Sequence, residues 1–209
     1  MIGEMRHAEF LVTMTTRVPH GTPEEAVDDV RAREAERSHE LAAQGHLIRL
    51  WRPPLQPGEW RTLGLFAADT ADELDQVLAS MPLRVWRSDE VTPLLPHPND
   101  PGPTPVDNTA TEFLIALNIT VPEDTPADVV EGMKERESAR VHELAELGHV
   151  FRLWRPPADP GEWRALGVWR AEDAAEMQAL LKSLPLYDWF TVDKTPLAPH
   201  PNDPAIASR

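Results

Sequence analysis

Three things are scarce in this chain: cysteine, long apolar runs and positive charge. There is no cysteine at all, which excludes disulfide bonds, thiolate nucleophiles and cysteine-bound metal ions. No run approaches the roughly 18 apolar residues of a membrane-spanning helix, and residues 1–9 lack the apolar core of a signal peptide. We therefore expect a cytoplasmic protein without a membrane partner.

The 20 lysines and arginines are outnumbered by 35 aspartates and glutamates, which leaves a net charge of −15. An acidic surface repels phosphate backbones, so we expect no nucleic-acid partner. The sequence also has no glycine-rich phosphate loop, and the histidines His39, His46 and His97 form no metal motif with a second ligand at helical spacing. These absences indicate neither a metal nor a nucleotide cofactor, and we expect a small molecule as the substrate.

The chain contains the same unit twice. Glu9–Pro101 aligns without a gap on Glu112–Pro204, about 103 residues further on, with roughly half of the positions identical. Two copies are too few for a stacked solenoid, so two small domains that act as a built-in dimer are the simpler interpretation. We predict a first repeat at 1–100, a linker at 101–111 and a second repeat at 112–209. The clearest identities are Arg49–Pro54 with Arg152–Pro157, Pro57–Arg61 with Pro160–Arg164, and His97–Pro101 with His200–Pro204.

Within one repeat the pattern predicts the order β-α-β-β-α-β. Period-two alternation indicates the strands, and the N-cap, proline and glutamate of Thr22–Glu25 open a helix that Gly45 closes. This order is typical of a ferredoxin-like α+β fold, in which two helices cover one face of a four-stranded antiparallel sheet. The other face must also be covered, and the sheet of the second repeat can cover it. We predict two ferredoxin-like repeats packed sheet to sheet as an intrachain dimeric α/β barrel.

One residue type is out of place on the predicted helices. In the second repeat the apolar stripe that contains Met133 and Val141 has Glu137 at its centre, and Glu34 takes the same position in the first repeat. Burial of a carboxylate without a partner raises its pKa and destabilises the fold. Each glutamate therefore either pairs with an arginine from the sheet or takes part in proton chemistry, and the pattern alone leaves both open.

The alternation along the second and third strands predicts which side chains enter the barrel. If Phe151 and Leu153 meet the helices, the residues that alternate with them point inward. On the third strand Leu63 and Leu65 would meet the helices. A cavity of arginine, tryptophan and glycine suits a small planar or lactone-like acid, and the alternative is that the tryptophans only fill the core. The predicted inward residues are Arg49, Trp51, Trp60, Thr62, Gly64 and Phe66, with Arg152, Trp154 and Trp163 in the second repeat.

These residues resemble the pattern of muconolactone delta-isomerase, present twice. The resemblance covers nearly all of each repeat, and its most specific piece is Gly-x-x-x-x-Leu-Trp-Arg, at Gly45–Arg52 and Gly148–Arg155. The resemblance implies a ferredoxin-like dimeric barrel, no cofactor, and homo-oligomers built from such pseudo-dimers. Other matching features are Phe10–Thr15, Ala32-x-Glu34, the Pro82 and Pro185 steps, and His97-Pro98.

The reaction implied by the resemblance moves a proton along an allylic lactone and so shifts a double bond. It needs one group that removes the proton and returns it, and donors that stabilise the dienolate formed in between. The family pattern then assigns the role of general base and acid to Glu34 or Glu137. It assigns carboxylate anchoring or enolate stabilisation to Arg49, Arg52, Arg152 and Arg155, and the pocket wall to Trp51 and Trp154.

Two other functions fit the same residues. A cyclase or dehydratase-like enzyme of secondary metabolism would use the barrel for a larger apolar substrate, which Gly64 and Gly167 would accommodate. A non-catalytic small-molecule-binding barrel predicts instead that arginines neutralise Glu34 and Glu137, with no open cavity between the sheets. The leading interpretation is a cofactor-independent isomerase, in which a fused dimer allows one competent pocket and one degenerate pocket.

Overall fold

The computed structural model describes residues 7–103, 110–159 and 162–207 of the chain. The chain divides into two compact units: unit 1 comprises Met1–Leu94 and Ala198–Arg209, and unit 2 comprises Leu95–Leu197. Each unit therefore contains most of one repeat together with the last residues of the other. Most of the predicted linker, residues 104–109, lies outside the described residues.

Unit 1 has the predicted order of strands and helices. Its elements are β1 (Ala8–Thr16), α1 (Glu24–Ala43), β2 (Leu47–Arg52), β3 (Arg61–Ala68), α2 (Ala71–Ala79) and β4 (Arg87–Pro96), of which β4 continues into unit 2. A 3₁₀ turn at Pro82–Trp86 separates α2 from β4. Proline favours the first position of such a turn, because the N–H that it lacks would be unpaired there.

Unit 2 repeats the order. Its elements are β5 (Thr111–Ile119), α3 (Ala127–Glu146), β6 (Val150–Arg155), β7 (Trp163–Ala171), α4 (Ala174–Lys182) and β8 (Phe190–Pro199), of which β8 continues into unit 1. The predicted α+β class and the ferredoxin-like order of both repeats are confirmed. After β8 the chain forms the short helix α5 (Pro204–Ala207). No helix in the described part of the chain is long and apolar enough to span a membrane.

Each unit has an antiparallel sheet whose edge comes from the end of the other repeat. In unit 1 the strand order is β4-β1-β3-β2, and Ala198 and Pro199 of β8 add to β2. In unit 2 the order is β8-β5-β7-β6, and Leu95 and Pro96 of β4 add to β6. The residues that follow these two short pairings, which contain the repeated His-Pro-Asn-Asp-Pro segments, are here called the borrowed ends.

An aspartate anchors each borrowed end. Asp203 is fully buried and accepts hydrogen bonds from Arg49 Nη2 at 3.0 Å and from the backbone N–H of Leu50 at 3.1 Å. Asp100 contacts Arg152 in the same way in unit 2, at 3.2 Å. Charge-assisted hydrogen bonds of this kind are strong and directional, so they hold each borrowed end in one position against its unit.

The faces of the third strands are the reverse of the prediction. In unit 1 Phe66 packs on the helices, in one cluster with Leu41 of α1 and Leu78 of α2. Leu63 and Leu65 alternate with Phe66 and so face away from the helices. The strand is buried on both faces, and a period of two cannot tell one apolar face from the other.

The second strands contain a β-bulge that interrupts the alternation. Strand β6 changes register between Val150 and Arg152, and both Val150 and Leu153 belong to the helix-side core. The ring of Phe151, predicted to meet the helices, has the guanidinium carbon of Arg170 at 4.2 Å from its centre. A bulge adds one residue, so the side chains before it and after it are no longer in phase.

Candidate active site

Each unit has a cavity between its long helix and the helix-facing side of its sheet. The cavity of unit 1 has a volume of about 340 Å³ and lies beside α1, β2 and β3. The cavity of unit 2 has a volume of about 720 Å³ and lies beside α3, β6 and β7. Glu34 lines the first and Glu137 lines the second. The two glutamates therefore hold equivalent positions, and their surroundings decide what each can do.

Glu34 forms a buried ion pair. Its Oε1 accepts a hydrogen bond from Arg87 Nη1 at 3.0 Å, and its Oε2 accepts one from the backbone N–H of Leu83 at 2.8 Å. Arg87 also lies against Asp89, with Nε 2.7 Å from Oδ1. Burial raises the pKa of Glu34, while the Leu83 N–H and the Arg87 charge act in the opposite direction. Two donors thus hold the Glu34 carboxylate, as the ion-pair alternative predicts.

Glu137 lacks this partner. Its Oε2 accepts one hydrogen bond, from the backbone N–H of Leu186 at 2.9 Å, and within the described ranges no lysine or arginine pairs with it. Phe190 occupies the position of Arg87 in the aligned repeats and lines the cavity. Burial raises the pKa of Glu137 to about 7, against the weaker opposing effect of the Leu186 N–H. A carboxyl group with this pKa exchanges its proton near neutral pH, as a general base and acid must.

Cations lie on other walls of the unit 2 cavity. Arg155 lines it, with Nε donating to the Pro96 carbonyl at 3.1 Å. Lys134 also lines it, with Nζ 4.4 Å from the centre of the Trp163 ring and 2.8 Å from a carboxylate oxygen of Glu131. Guanidinium and ammonium groups are the side chains that hold carboxylates best, so this cavity can anchor an acidic ligand.

A histidine from the borrowed end reaches each cavity, which the sequence pattern did not reveal. His97 lines the unit 2 cavity, and its Nδ1 accepts a hydrogen bond from the backbone N–H of Asn99 at 3.1 Å. An accepting Nδ1 places the proton of the neutral ring on Nε2. Burial, followed by the charge of Arg155, lowers the pKa of His97, so the ring is mostly uncharged near neutral pH. His200 has the same arrangement in unit 1, where burial lowers its pKa to about 4.

The structure brings four of the eight predicted binding residues to the cavities. Arg52 and Trp60 line the cavity of unit 1, and Arg155 and Trp163 line that of unit 2. The other four lie on the opposite faces of the sheets because strand alternation places them away from the helix-side core. These four residues are Arg49, Trp51, Arg152 and Trp154.

The arginines on the opposite faces are occupied by structural contacts. Arg49 is 3% exposed, is held by Asp203, and has its guanidinium carbon 4.8 Å from the centre of the Trp51 ring. Arg152 repeats the arrangement over Trp154 at 4.9 Å. In each unit this stacked pair fixes the borrowed end, which in turn carries the cavity histidine. The four residues therefore support the cavities indirectly.

Gly64 and Gly167 make room for aromatic rings. A Cβ atom added at Gly64 would collide with Cε2 of Phe66, and one added at Gly167 would lie 2.8 Å from Nε1 of Trp169. Each ring belongs to the residue two positions later on the same face of the strand, and it folds over the glycine. The space that the glycines leave is therefore filled by the protein itself.

Three residues that line the cavities cannot be recognised from the sequence of one repeat alone: Arg87, Phe190 and Trp169. The informative signal is the comparison of the two repeats, which have arginine against phenylalanine at 87 and 190. They also have Phe66 against Trp169. In unit 2 both differences fall on residues that line the same cavity as Glu137, and they are visible as unequal positions in the aligned repeats.

The chemistry available in the unit 2 cavity is proton transfer. Among the residues that the structure describes, no cluster of His, Asp and Glu side chains could hold a metal ion. Glu137 can take up and return a proton, His97 can donate from Nε2, and Arg155 can hold an anion. The binding-barrel alternative expects an arginine beside each glutamate, and Glu137 does not meet that expectation.

Comparison with known proteins points to one family. The family model described as muconolactone delta-isomerase matches the chain twice, at residues 8–100 and 111–203. Muconolactone Delta-isomerase 1 of Acinetobacter lwoffii is 30% identical over 90 residues, which cover 43% of this chain and 91% of the relative. Muconolactone Delta-isomerase of Cupriavidus pinatubonensis is 33% identical over 90 residues, which cover 43% of this chain and 95% of the relative.

Among solved structures, a chlorite dismutase from Candidatus Nitrospira defluvii is similar with a TM-score of 0.58, at 10% identity and over 91% of each chain. At this identity the similarity shows the fold alone. The family model accounts for both repeats, which is the pattern of a tandem duplication. The chain belongs to the muconolactone delta-isomerase family.

Proposed function

We propose that this protein is a cofactor-independent isomerase that moves a proton within a small carboxylated lactone or enone, and that the cavity of unit 2 is its working site. The observation that carries the proposal is the state of Glu137. This partly buried carboxyl group lines a cavity, has no ion-pair partner among the described residues, and has a pKa raised to about 7. Membership of the muconolactone delta-isomerase family supports the reaction type.

The reaction begins with the carboxylate form of Glu137. Its oxygen takes a proton from an allylic carbon of the substrate, and the electron pair of the broken C–H bond delocalises onto the carbonyl oxygen to form a dienolate. The protonated Glu137 then gives the proton to the other end of the allylic system as the electrons return from the oxygen. The net change is one proton moved and one double bond shifted, with no oxidation or reduction.

The other walls of the cavity supply charge and space. Arg155 and Lys134 anchor the substrate carboxylate, and His97 donates a hydrogen bond from Nε2 toward the oxygen on which negative charge develops. The volume of about 720 Å³ falls within the range of small-molecule sites. Substrate binding and proton transfer are thus assigned to residues of one unit.

Unit 1 has a different role in this proposal. Glu34 is held by Arg87 and by the backbone N–H of Leu83, and a carboxylate stabilised in this way is a weaker base. Its cavity is also smaller, at about 340 Å³ against about 720 Å³. We therefore assign turnover to unit 2 and structural support to unit 1.

Turnover of muconolactone by the purified protein tests the proposal. The shift of the double bond is followed by ultraviolet absorbance, and proton NMR in D₂O reports exchange at the allylic carbons. We expect Glu137→Gln to lower kcat by about 10² to 10⁴, because general acid–base catalysis typically contributes that much. Glu34→Gln is the matched control, and its folded fraction should keep kcat within about threefold of the unmodified protein.

Two outcomes would contradict the proposal. Full turnover by Glu137→Gln would rule out its role as the base, and equal losses in both variants would place chemistry in both cavities. If muconolactone is not turned over at all, the same pair of variants is compared on related carboxylated lactones and enones.

A further inference from the structure

Four aligned positions are polar in the cavity of unit 1 and apolar in the cavity of unit 2. Both members of each pair line the cavity of their own unit. The opposite change occurs at Ser138, where unit 1 has Ala35, but the Ser138 hydroxyl already donates to Asn99 Oδ1 at 2.8 Å. The four pairs are Thr16 and Ile119, Ser38 and Val141, Thr62 and Ala165, and Arg87 and Phe190.

The four apolar residues of unit 2 form one surface, here called the apolar wall. Ile119 of β5 is directly opposite Phe190 of β8, and Ala165 of β7 is its diagonal neighbour on the other side. Val141 lies one turn after Glu137 on the same face of α3. Val141 and Ala165 belong to the helix-side core, whereas Ile119 and Phe190 are only partly buried. The apolar wall therefore extends from the core to a part of the cavity that solvent reaches.

The fold does not require an apolar surface at these positions. Unit 1 has the same order of strands and helices and holds hydroxyl and guanidinium groups in the equivalent places. Apolar side chains on the wall of an open cavity stay in contact with water until a ligand covers them. The cavity of unit 2 is also the larger one, at about 720 Å³ against about 340 Å³. Both differences favour a ligand with an apolar group of its own.

The contacts assigned so far leave the apolar wall unused. Arg155 and Lys134 anchor the substrate carboxylate, and Glu137 moves the proton. A lactone that has a carboxylate arm as its only substituent makes these contacts and adds little apolar surface. Small-molecule sites combine a mostly apolar lining with a few polar groups that orient the ligand, and the unit 2 cavity has both parts.

We propose that the substrate of unit 2 is a carboxylated lactone or enone that also carries an alkyl or aryl substituent, and that the apolar wall holds this substituent. This inference rests on the proposed function and names the class of its substrate. Anchoring through two groups rather than one orients the ring toward Glu137, so the substituent contributes to kcat/KM as well as to binding.

The kinetic test compares muconolactone with a derivative that carries a propyl group on a ring carbon that neither loses nor gains the proton. Burial of one methylene contributes about threefold to fourfold, so the propyl derivative should have a kcat/KM about tenfold to fiftyfold higher. In the double variant Ile119→Thr, Ala165→Ser this preference should fall to about threefold or less. Each change places a hydroxyl group where the substituent packs, and burial of an unpaired hydroxyl is unfavourable.

Two control variants separate polarity from shape and unit 2 from unit 1. Ile119→Val has the shape of Ile119→Thr without the hydroxyl, and it should keep the preference within about fourfold of the unmodified protein. Thr16→Ile makes the reciprocal change in unit 1 and should leave the preference unchanged, because turnover is assigned to unit 2. Melting temperatures of all variants show whether they are folded at the assay temperature.

A measurement that does not depend on turnover is titration calorimetry with two probes. The probes are the saturated analogues of muconolactone and of its propyl derivative, which keep the lactone and the carboxylate but have no double bond to shift. The propyl probe should bind about tenfold to fiftyfold more tightly. Its heat-capacity change of binding should also be more negative, which is the mark of buried apolar surface. Both differences should be lost in the double variant.

The outcomes separate this inference from the proposed function. If turnover depends on Glu137 but the propyl derivative reacts no better than muconolactone, the inference is wrong and the proposed function stands. A preference that the folded double variant keeps would place the substituent elsewhere and also overturn the inference. If neither compound shows turnover that depends on Glu137, the proposed function fails and this inference about its substrate fails with it.

Discussion

The cavities of unit 1 and unit 2 belong to two copies of one repeated sequence, yet the surroundings of their glutamates differ. Glu34 is fixed by the guanidinium of Arg87, whereas Glu137 faces a cavity in which Phe190 replaces that guanidinium. Unit 2 also has the indole of Trp169 in place of a phenyl ring. The comparison teaches that a glutamate on an apolar helix face is ambiguous by itself. Its partner on the neighbouring strand decides between an ion pair and an exchangeable proton.

The largest effect should come from Arg87→Phe, which gives unit 1 the residue of unit 2. Among the described residues, the change leaves Glu34 with the Leu83 N–H as its one donor, and it removes a guanidinium contact of Asp89. We expect the free energy of unfolding to fall by about 3–5 kcal/mol at pH 8, the usual result of breaking a buried pair. At pH 5 the loss should be smaller because Glu34 can then bind a proton.

Urea denaturation at pH 5 and pH 8 measures both losses. Arg84→Leu is the control, since the half-exposed Arg84 also pairs with Asp89 but should cost less than about 1 kcal/mol. Equal losses at the two pH values for Arg87→Phe would show that the charge of Glu34 is not the cause, and the contrast between the units would lose its electrostatic basis.

The reciprocal change, Phe190→Arg, gives unit 2 the residue of unit 1 and should remove the difference between the two glutamates. A guanidinium beside Glu137 lowers the pKa of the carboxyl group and makes the carboxylate a weaker base. We expect kcat/KM for muconolactone to fall about a hundredfold, which corresponds to about 2.7 kcal/mol of transition-state stabilisation. Phe190→Leu removes the ring without adding charge and should keep kcat/KM within about fivefold.

The pH dependence of kcat/KM sharpens this test. In the unmodified protein the rate should reach half of its maximum at a pH of about 7 and fall tenfold per pH unit below it, because only the carboxylate form of Glu137 removes a proton. In Phe190→Arg the midpoint should move to lower pH. An unchanged midpoint would mean that another group controls the rate.

The smallest effect concerns the stability that Glu137 itself contributes. Its pKa is about 7 in the folded protein and 4.5 as the reference value, so between these two pH values the folded state holds a proton that the unfolded state has released. Stability therefore falls as the pH rises through this window. Glu137→Gln should remove this dependence and be more stable than the unmodified protein by about 1–3 kcal/mol at pH 8. Thermal unfolding at pH 5 and pH 8 checks this, and a less stable variant at pH 8 would contradict it.

Much of the fold could be predicted because it depends on local patterns. The helix Glu24–Ala43 follows Pro23 and has two glutamates in its first turn, and it ends just before Gly45, which has a positive φ of 82°. The prediction was wrong where the local pattern does not show which face of a strand meets the helices. Strand β3 is apolar on both faces, so Phe66 was assigned to the wrong side, and the bulge in β6 reversed Phe151.

The candidate site was predicted in part for the same reason. The stripe glutamates were found because a charge on an apolar helical face is visible in the sequence. Arg52 and Trp60 line a cavity as expected, although this cavity lies on the helix side of the sheet. Arg49 faces away from the helices, as predicted, but it is held by Asp203, a residue 154 positions away. No spacing rule reports a contact over that distance, so the borrowed ends and their histidines could not be predicted.

The sequence by itself determined the duplication, the order of strands and helices, and the presence of one glutamate on the same helical face in both copies. These features arise from propensities and periodicities that act over a few residues. Only the tertiary structure decided which glutamate is paired. Glu34 meets Arg87 across 53 residues, whereas Glu137 meets no arginine among the described residues and shares its cavity with Phe190, which holds the aligned position at the start of the last strand.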